Sequence, residues 1–446
     1  MSTPQAAAGG IRLNVGGQVF ETTAGTLTGA GEGTMLGAML EPCWNTGATG
    51  GVPEYFIDRD PACFASLLNM LRTGELHVPA GVPERMLFQE ASYYGLLDRV
   101  RAARIGELDL DRARLAASVP PGQAPVDSHA VRAAPDGGCC VTHGPIVRVY
   151  NWMLEERRPV CLTPVEPVLD AAYLSDSTLL VAGRGMAAFS VLTGDLSHHF
   201  RLEHDGKKMA PLFNAGALAF DQQANVFASC NSWGITQEIG YHGIGVWDCI
   251  TGEQTSSFFG QKYVNVLNDA SKLQWLASTN ALMAVKASSP KDACSSPSIT
   301  LVDFRNMSVV WSWSGGPRRM NERRVADAVV MDDERSVRLI SQYHDLGFLD
   351  IRCQSSVQAP WTYQSKVTTP MCYPKLAVHG GLLLASKDDA ISVYGGPNHD
   401  HLRLALRGSQ GGGAIADFSV GGDRLFAVHH EDNVLDVWET LPPPIA

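Results

Sequence analysis

Nowhere in the 446 residues does an apolar run approach the roughly 20 needed to cross a bilayer. The opening MSTPQAAAGG has neither a basic n-region nor an apolar h-region. The expectation is a soluble chain, with no membrane insertion and no export by a cleaved leader. Lysine is scarce: nine against 26 arginines, none before Lys207, which reads as coding bias. Cysteines at metal or redox spacing are missing too. Ten run from Cys43 to Cys372, with Cys139 and Cys140 adjacent and no CxxC, which suits a reduced cytoplasmic or nuclear compartment. Excess positive charge is absent: 46 acids against 35 bases leave a net charge of -11, so there is no global field to attract phosphate backbones or anionic lipid, and nucleic acid is not an expected partner. There is no HExxH, no GxSxG, no Walker loop and no GxGxxG between a strand and a helix. The thirteen histidines avoid metal spacings; His198-His199 and His429-His430 are neighbours, whose side chains on a strand point to opposite faces. The chain therefore reads as non-catalytic, with no cofactor and no metal.

What is there is enough apolar side chain, 45% of the residues against 18% charged, for more than one core. Ile11, Leu13 and Val15 alternate with Arg12 and Asn14, and Gly16-Gly17 turns the chain into Val19-Phe20-Glu21-Thr22-Thr23, a hairpin. A short strand, Tyr55-Phe56-Ile57, runs into Asp58-Arg59-Asp60-Pro61, where Asp60 caps a helix and Pro61 occupies its first turn. Phe64, Leu67, Leu68 and Leu71 form one apolar stripe on that helix, which ends at Gly74. Pro83 opens a second helix that ends at Gly95, and Leu96 to Ile105 makes a third. After a leader over 1–9, residues 10–106 thus read as one compact α+β module.

From about residue 129, helical periodicity gives way to short β-rich runs punctuated by Gly, Asp and Asn. Seven runs end in a bulky residue: Val149-Tyr150-Asn151, Ala188-Phe189-Ser190, Val246-Trp247-Asp248, Leu301-Val302-Asp303, Phe348-Leu349-Asp350, Val393-Tyr394-Gly395 and Val437-Trp438-Glu439. Their spacings of 39, 58, 55, 47, 45 and 44 lie near the period of a four-stranded propeller blade. Thr193-Gly194-Asp195 and Thr251-Gly252-Glu253 repeat one turn at the same offset from the anchor. The reading is an all-β seven-bladed propeller over 129–446, because one small twisted sheet cannot hide both faces but seven arranged radially can. The last unit supplies only three strands before the chain reaches Pro442-Pro443-Pro444, so Arg114 to Ser118, in the 107–128 linker, is expected to pair there as the fourth.

The strings IRLNVGGQVFETT (11–23), FIDRDPACFASLLNMLRTGEL (56–76) and PERMLFQEASYYGL (83–96) resemble the BTB/POZ fold in its potassium channel tetramerisation variant. PDGGCCVTHGPIVRVYNWMLEE (135–156), DASKLQWL (269–276), CYPKLAVH (372–379) and DFSVGGDRLFAVHHEDNVLDVWET (417–440) are similar to the C-terminal half of plant BTB/POZ proteins of that type, with a WD-repeat-like propeller. The resemblance implies self-association without ion conduction. It further implies a substrate adaptor of a cullin-RING ubiquitin ligase, whose BTB part holds a cullin of the BTB-binding class and whose propeller holds a target protein. An oligomeric scaffold that regulates a membrane or signalling protein without a ligase is the alternative. The glycines at 25, 29, 31, 33 and 37 depart from the family, which has a helix there. Some tetramerisation domains hold a His/Cys zinc cluster between subunits; no cysteine follows Tyr93-Tyr94-Gly95 closely here, so an oligomer would rest on packing and charge pairs.

Asp58, Arg59, Asp60 and Arg72 are candidates for the oligomer or partner surface, although a helix cap and an ion pair account for Arg59 and Asp60 more simply. Arg318, Arg319, Arg323 and Arg324, beside Gly315-Gly316-Pro317, form a basic loop between blades and are the candidates for target binding, because arginine forks suit acidic or phosphorylated groups. Trp311, Trp313 and Trp361 are anchors if exposed and blade core if buried. Asp248, Asp303 and Asp350 are expected to bond backbone in the turns after their strands.

Overall fold

The computed structural model describes residues 10–31, 34–40, 54–79, 81–120, 128–204, 207–208, 213–221, 225–232, 241–259, 270–287, 297–306, 308–314, 324–353, 361–363, 374–409, 413–430 and 432–440. The chain divides into two units, Met1–Glu107 and Leu108–Ala446.

In the first unit β1 (Gly10–Val15) pairs antiparallel with β2 (Gln18–Thr23); two short helices follow, α1 (Ala24–Thr28) and α2 (Met35–Ala38). Next, β3 (Glu54–Ile57) joins β1 in parallel, and α3 (Pro61–Thr73), α4 (Glu84–Tyr94) and α5 (Leu97–Ile105) complete the unit. Alternation on β1 does what its sequence requires: Ile11, Leu13 and Val15 are buried while Arg12 and Asn14 take the other face. Asp60 Oδ1 accepts the Cys63 amide at 2.7 Å, Pro61 opens α3, and Gly74 closes it at φ 80°. Phe64 lies 5.1 Å, centroid to centroid, from both Phe20 and Tyr94, fixing α3 between the sheet and α4. Leu71, at the far end of the stripe, is only half-buried. Among the described residues the glycine-rich segment carries two short helical pieces, of five and four residues. Gly37 is there for space, since a Cβ on it would stand 2.7 Å from the Gly31 carbonyl oxygen.

The second unit opens with β4 (Ala113–Val119). Blade 1 is β5 (Ser128–Ala133), β6 (Cys139–His143), β7 (Ile146–Tyr150) and β8 (Val160–Cys161). Blade 2 is β9 (Asp170–Ser175), β10 (Thr178–Gly183), β11 (Gly185–Ser190) and β12 (Leu196–His199). A two-stranded hairpin, β13 (Glu203–His204) with β14 (Lys207–Lys208), precedes blade 3, which is β15 (Asn214–Phe220), β16 (Asn225–Ser232), β17 (Tyr241–Asp248) and β18 (Gln254–Phe259). Blade 4 is β19 (Lys272–Leu276), β20 (Ala281–Lys286), β21 (Ser298–Asp303) and β22 (Ser308–Ser314). Blade 5 is β23 (Val325–Val330), β24 (Ser336–Ser341), β25 (Leu346–Asp350) and β26 (Trp361–Tyr363). Blade 6 is β27 (Leu376–His379), β28 (Leu382–Lys387), β29 (Ala390–Gly395) and β30 (His401–Arg407). Blade 7 is β31 (Ile415–Val420), β32 (Arg424–His429) and β33 (Leu435–Thr440), with β4 as its fourth strand, Leu435 opposite Val119 and Thr440 opposite Ala113. Five sheets are separate four-stranded blades, and blades 2 and 3 share one eight-stranded sheet through a pairing of Gly185 with Asn214.

All seven anchor residues sit on the third strand of their blade and are buried, from Trp247 and Val302 at 0% exposure to Tyr394 at 7%. A separate apolar core fills each junction between neighbouring blades. Across the closing junction Val131, Val141 and Tyr150 of blade 1 meet Phe426, Val428 and Val437 of blade 7. Trp247 lies flat on its own strand because a Cβ on Gly245 would come within 2.2 Å of its ring, and its Nε1 donates to the Arg201 carbonyl at 2.8 Å. Antiparallel order within each blade puts the starts of the inner strands on one face, here the upper face, and the turns after the first and third strands on the lower face.

Candidate functional site

In the first unit the four sequence candidates do not form one cluster. Arg59 is occupied by α4: its Nε donates to Glu90 Oε2 at 3.0 Å, its Nη2 reaches Glu90 Oε1 at 2.9 Å, and its guanidinium lies 4.2 Å from the centre of the Tyr93 ring. Asp60 is occupied by the α3 cap. Arg72 is exposed and its Nη2 donates to the Glu21 carbonyl at 2.5 Å, tying the end of α3 to β2. Asp58 is exposed at the end of β3. The sequence reading missed the outer face of the sheet. Register places Val19, Asn14 and Phe56 in one row across β2, β1 and β3, and Val19 and Phe56 are 51% and 69% exposed. Both are apolar residues at strand positions that alternate away from the core, and that is the signal a sequence carries for such a face.

In the second unit the basic loop largely escapes description. Arg318, Arg319 and Arg323 lie outside the described residues, and Arg324 is half-buried just before β23. Trp313 is buried at 2% exposure; Trp311 and Trp361 are half-buried against the core shared by blades 4 and 5, so the nearby tryptophans are blade core.

The inner strands instead carry acids that bridge blades. Arg132 on β5 donates from Nη1 to Asp417 on β31 at 2.5 Å and from Nη2 to Asp170 on β9 at 2.7 Å. Burial works against its charge, and the two carboxylates more than restore it, so its pKa lies above the ordinary arginine value. Asp417 also accepts the Val131 amide at 3.2 Å, and Asp170 accepts the amides of Ala171 at 2.9 Å and of Leu218 on β15 at 3.1 Å. Blades 7, 1, 2 and 3 are thereby linked in series. Blades 4, 5 and 6 have their own bridge: Lys272 Nζ meets Asp327 at 3.0 Å and the Leu376 carbonyl at 2.7 Å, while Asp327 accepts the Leu376 amide at 2.8 Å. These acids went unnoticed in the sequence, where each is flanked by apolar neighbours, as Leu169-Asp170-Ala171, Ala326-Asp327-Ala328 and Ala416-Asp417-Phe418. An acid inside an apolar inner strand must find partners across the junction, and that is the signal.

Blade 7 holds its borrowed strand with a further cluster. His429 Nε2 lies 3.0 Å from Asp436 Oδ2, His429 Nδ1 lies 2.9 Å from the Gly413 carbonyl, and Ser118 on β4 donates to Asp436 Oδ1 at 2.5 Å. Burial disfavours the imidazolium, but the bonds to Asp436 and Gly413 outweigh it and raise the His429 pKa. Asp436 is likewise opposed by burial and held below its ordinary range by His429, Ser118 and the Ser409 amide. The acid stands between the other two residues and accepts from Ser118, with the His429 side chain wholly buried, so this is a clasp and not a nucleophile relay. Asp248, Asp303 and Asp350 each accept backbone amides in the turn that follows, as their sequence position implies.

Comparison with known proteins joins the two units. A BTB/POZ domain model matches residues 11–102, and a model described as At2g24240-like, C-terminal beta propeller, matches 122–440. The chain is 46% identical over 450 residues to BTB/POZ domain-containing protein At2g24240 of Arabidopsis thaliana, and 44% identical over 453 residues to At4g30940 of the same plant, covering 98% of each chain in both cases. Over 105 residues, 23% of this chain, it is 43% identical to SH3KBP1-binding protein 1 of Rattus norvegicus, of which 14% is covered. With one unit matched as the domain and the other as the ring, and with relatives alike from end to end, the chain belongs to the family of BTB/POZ domain-containing proteins that carry an At2g24240-like C-terminal β propeller.

Proposed function

We propose that the protein is a non-catalytic, substrate-specific adaptor of a cullin-RING ubiquitin ligase, in which the BTB unit self-associates and docks a cullin and the propeller holds a target protein. The observation that carries this reading is the pairing of a BTB/POZ unit with a closed ring whose inner-strand acids are all engaged between blades. Asp170, Asp327 and Asp417 serve the ring's own junctions, so what this body offers is surface. The row of Val19 and Phe56, with Asp58 beside it, supplies an apolar and charged face for a second copy. The basic run from Arg318 to Arg324 supplies forks for an acidic or phosphorylated target. Several propellers on one oligomer convert weak contacts into avid capture, by roughly 10²- to 10⁴-fold when geometry permits simultaneous engagement.

One observation favours the second reading, an oligomeric scaffold for a membrane or signalling protein without a ligase. The segment between β2 and β3, where the resemblance implies a helix, is reduced among the described residues to the single turns α1 and α2. Titration of the full chain with the N-terminal domain of the BTB-binding cullin separates the two. Micromolar or tighter binding supports the adaptor, and a clean oligomer that leaves the cullin unbound supports the scaffold.

A further inference from the structure

The inner strand of blade 3 carries a bulge near the upper face. Ala215 of β15 stands opposite Cys230 of β16 and Leu218 stands opposite Ala228, so Gly216 and Ala217 lie against the single residue Ser229. Beside the bulge is a cavity of about 170 Å³ whose lining includes Leu169, Asn214, Gly216, Ser229, Asn231 and Ala270. These positions lie at or just before the starts of the inner strands of blades 2, 3 and 4, and at the upper end of β16. The volume is that of roughly six waters, room for one side chain. Gly216 keeps the space clear, since a Cβ there would stand 2.7 Å from Ser229 Oγ. Ser229 is only 5% exposed, yet its hydroxyl makes no hydrogen bond among the described residues. Asn214 Nδ2 donates to Asn231 Oδ1 at 3.1 Å, which fixes the Asn214 amide and leaves its Oδ1 as an acceptor. None of the described lining side chains is charged. Arg184, whose backbone bridges to Asn214, spends its guanidinium on Glu166 at 2.8 Å.

Hydroxyls buried this deeply are rarely left without a partner. We propose that this cavity is a subsite for a neutral carboxamide, the side chain of an Asn or Gln in a partner protein. The carboxamide NH2 donates to Asn214 Oδ1 and its carbonyl accepts from Ser229 Oγ. Its methylene stem lies on Leu169, which is 47% exposed. The chemistry of the lining selects this occupant. A carboxylate would set its lone pairs against Asn214 Oδ1, and an ammonium or guanidinium would give up hydration with no opposite charge in the described lining. A wholly apolar side chain would bury the Ser229 hydroxyl without a partner. Sites built around hydrogen bonds reject analogues that lack them far more strongly than apolar pockets reject a change of size. Asn214 is held by Asn231, and Ser229 by the pairing of β16 with β17, before anything binds, so little ordering opposes capture. This rests on the propeller being a recognition body, and it names the group that the upper face takes.

The test is selection of phage-displayed random dodecapeptides on the immobilised full chain, with the N214A/S229A double variant as counter-target. The expected winners share an Asn or Gln at one position. In the synthetic peptides, replacing that residue with Asp or Glu weakens binding by about tenfold or more. S229A weakens it by about fivefold, and L402S, altered on the outer strand of blade 6, leaves it unchanged. Equal melting temperatures show that the variants fold. A cavity that holds only water gives no enrichment over the counter-target. That result, winners without a shared Asn or Gln, peptides that bind as well with Asp or Glu, or indifference to S229A overturns the proposal. Cullin titration and oligomer mass do not involve this cavity, so a negative selection leaves the adaptor reading standing, and a negative titration leaves the selection readable.

Discussion

Arg59 in the BTB unit and Arg132 in the propeller are both held by carboxylates with about a third of the side chain, 32%, still open to solvent, yet they do different work. Arg59 joins α4 to the β3–α3 junction across 31 positions of chain. Arg132 joins three blades, reaching 38 positions forward to Asp170 and 285 forward to Asp417. The smaller unit is held by nearby caps and stripes, whereas the ring is held where chain ends and distant repeats meet. Damage in the first should stay local, and damage in the second should spread around the ring.

That contrast can be broken at several points. All the helices described lie in the first unit, and of nine tryptophans only Trp44 precedes the propeller, so far-ultraviolet circular dichroism at the helical band reports the first unit and tryptophan fluorescence the ring. Replacing residues 113–119 with a Gly/Ser segment of equal length uncovers Trp438 and the edge of β33. It should cost the propeller about 5 kcal/mol, seen as an early fluorescence transition with the helical signal unmoved. Arg132→Ala strands Asp170 and Asp417 and should cost about 3 kcal/mol by the same readout, because a buried charge is left without its partner. Arg59→Ala should cost about 2 kcal/mol, confined to the helical signal. If the fluorescence transition moves equally, the two units are not independent.

The His429 clasp gives a pH-dependent version of the same test. Its native pKa is raised, so its contribution is complete below the ordinary imidazole value of about 6.5 and is lost as pH climbs through the higher native value. Asp436 has a lowered pKa, so its contribution is present above about 4 and is lost as pH falls through the lower native value. Thermal unfolding of the native chain against His429→Gln should therefore show a larger difference at mildly acidic pH than at mildly alkaline pH, and the reverse order would dismiss the clasp. The smallest effect is expected at Asp58, where Asp58→Ala should change stability by less than about 0.5 kcal/mol while shifting the oligomer's dissociation midpoint if that face meets a second copy.

Much of this architecture can be read from residues close together in the chain. The Asp60 cap, Pro61, Gly74 and Gly95 each mark a helix end by their own residue type, and the seven anchors repeat because each blade needs one bulky residue on its third strand. The last unit is visibly one strand short, and in the structure β4 fills that place. Pairings between blades are not legible in the same way, because nothing adjacent to Asp417 names Arg132 as its partner. The short helices α1 and α2 form despite their glycines, since Gly37 is required by a close approach that only the folded backbone reveals.

The most direct measurement of the central claim, an assembling BTB unit carrying a recognition ring, is multi-angle light scattering of the full chain at micromolar concentration. The account requires a mass that is an integral multiple of two or more chains, and a stable monomer would contradict it.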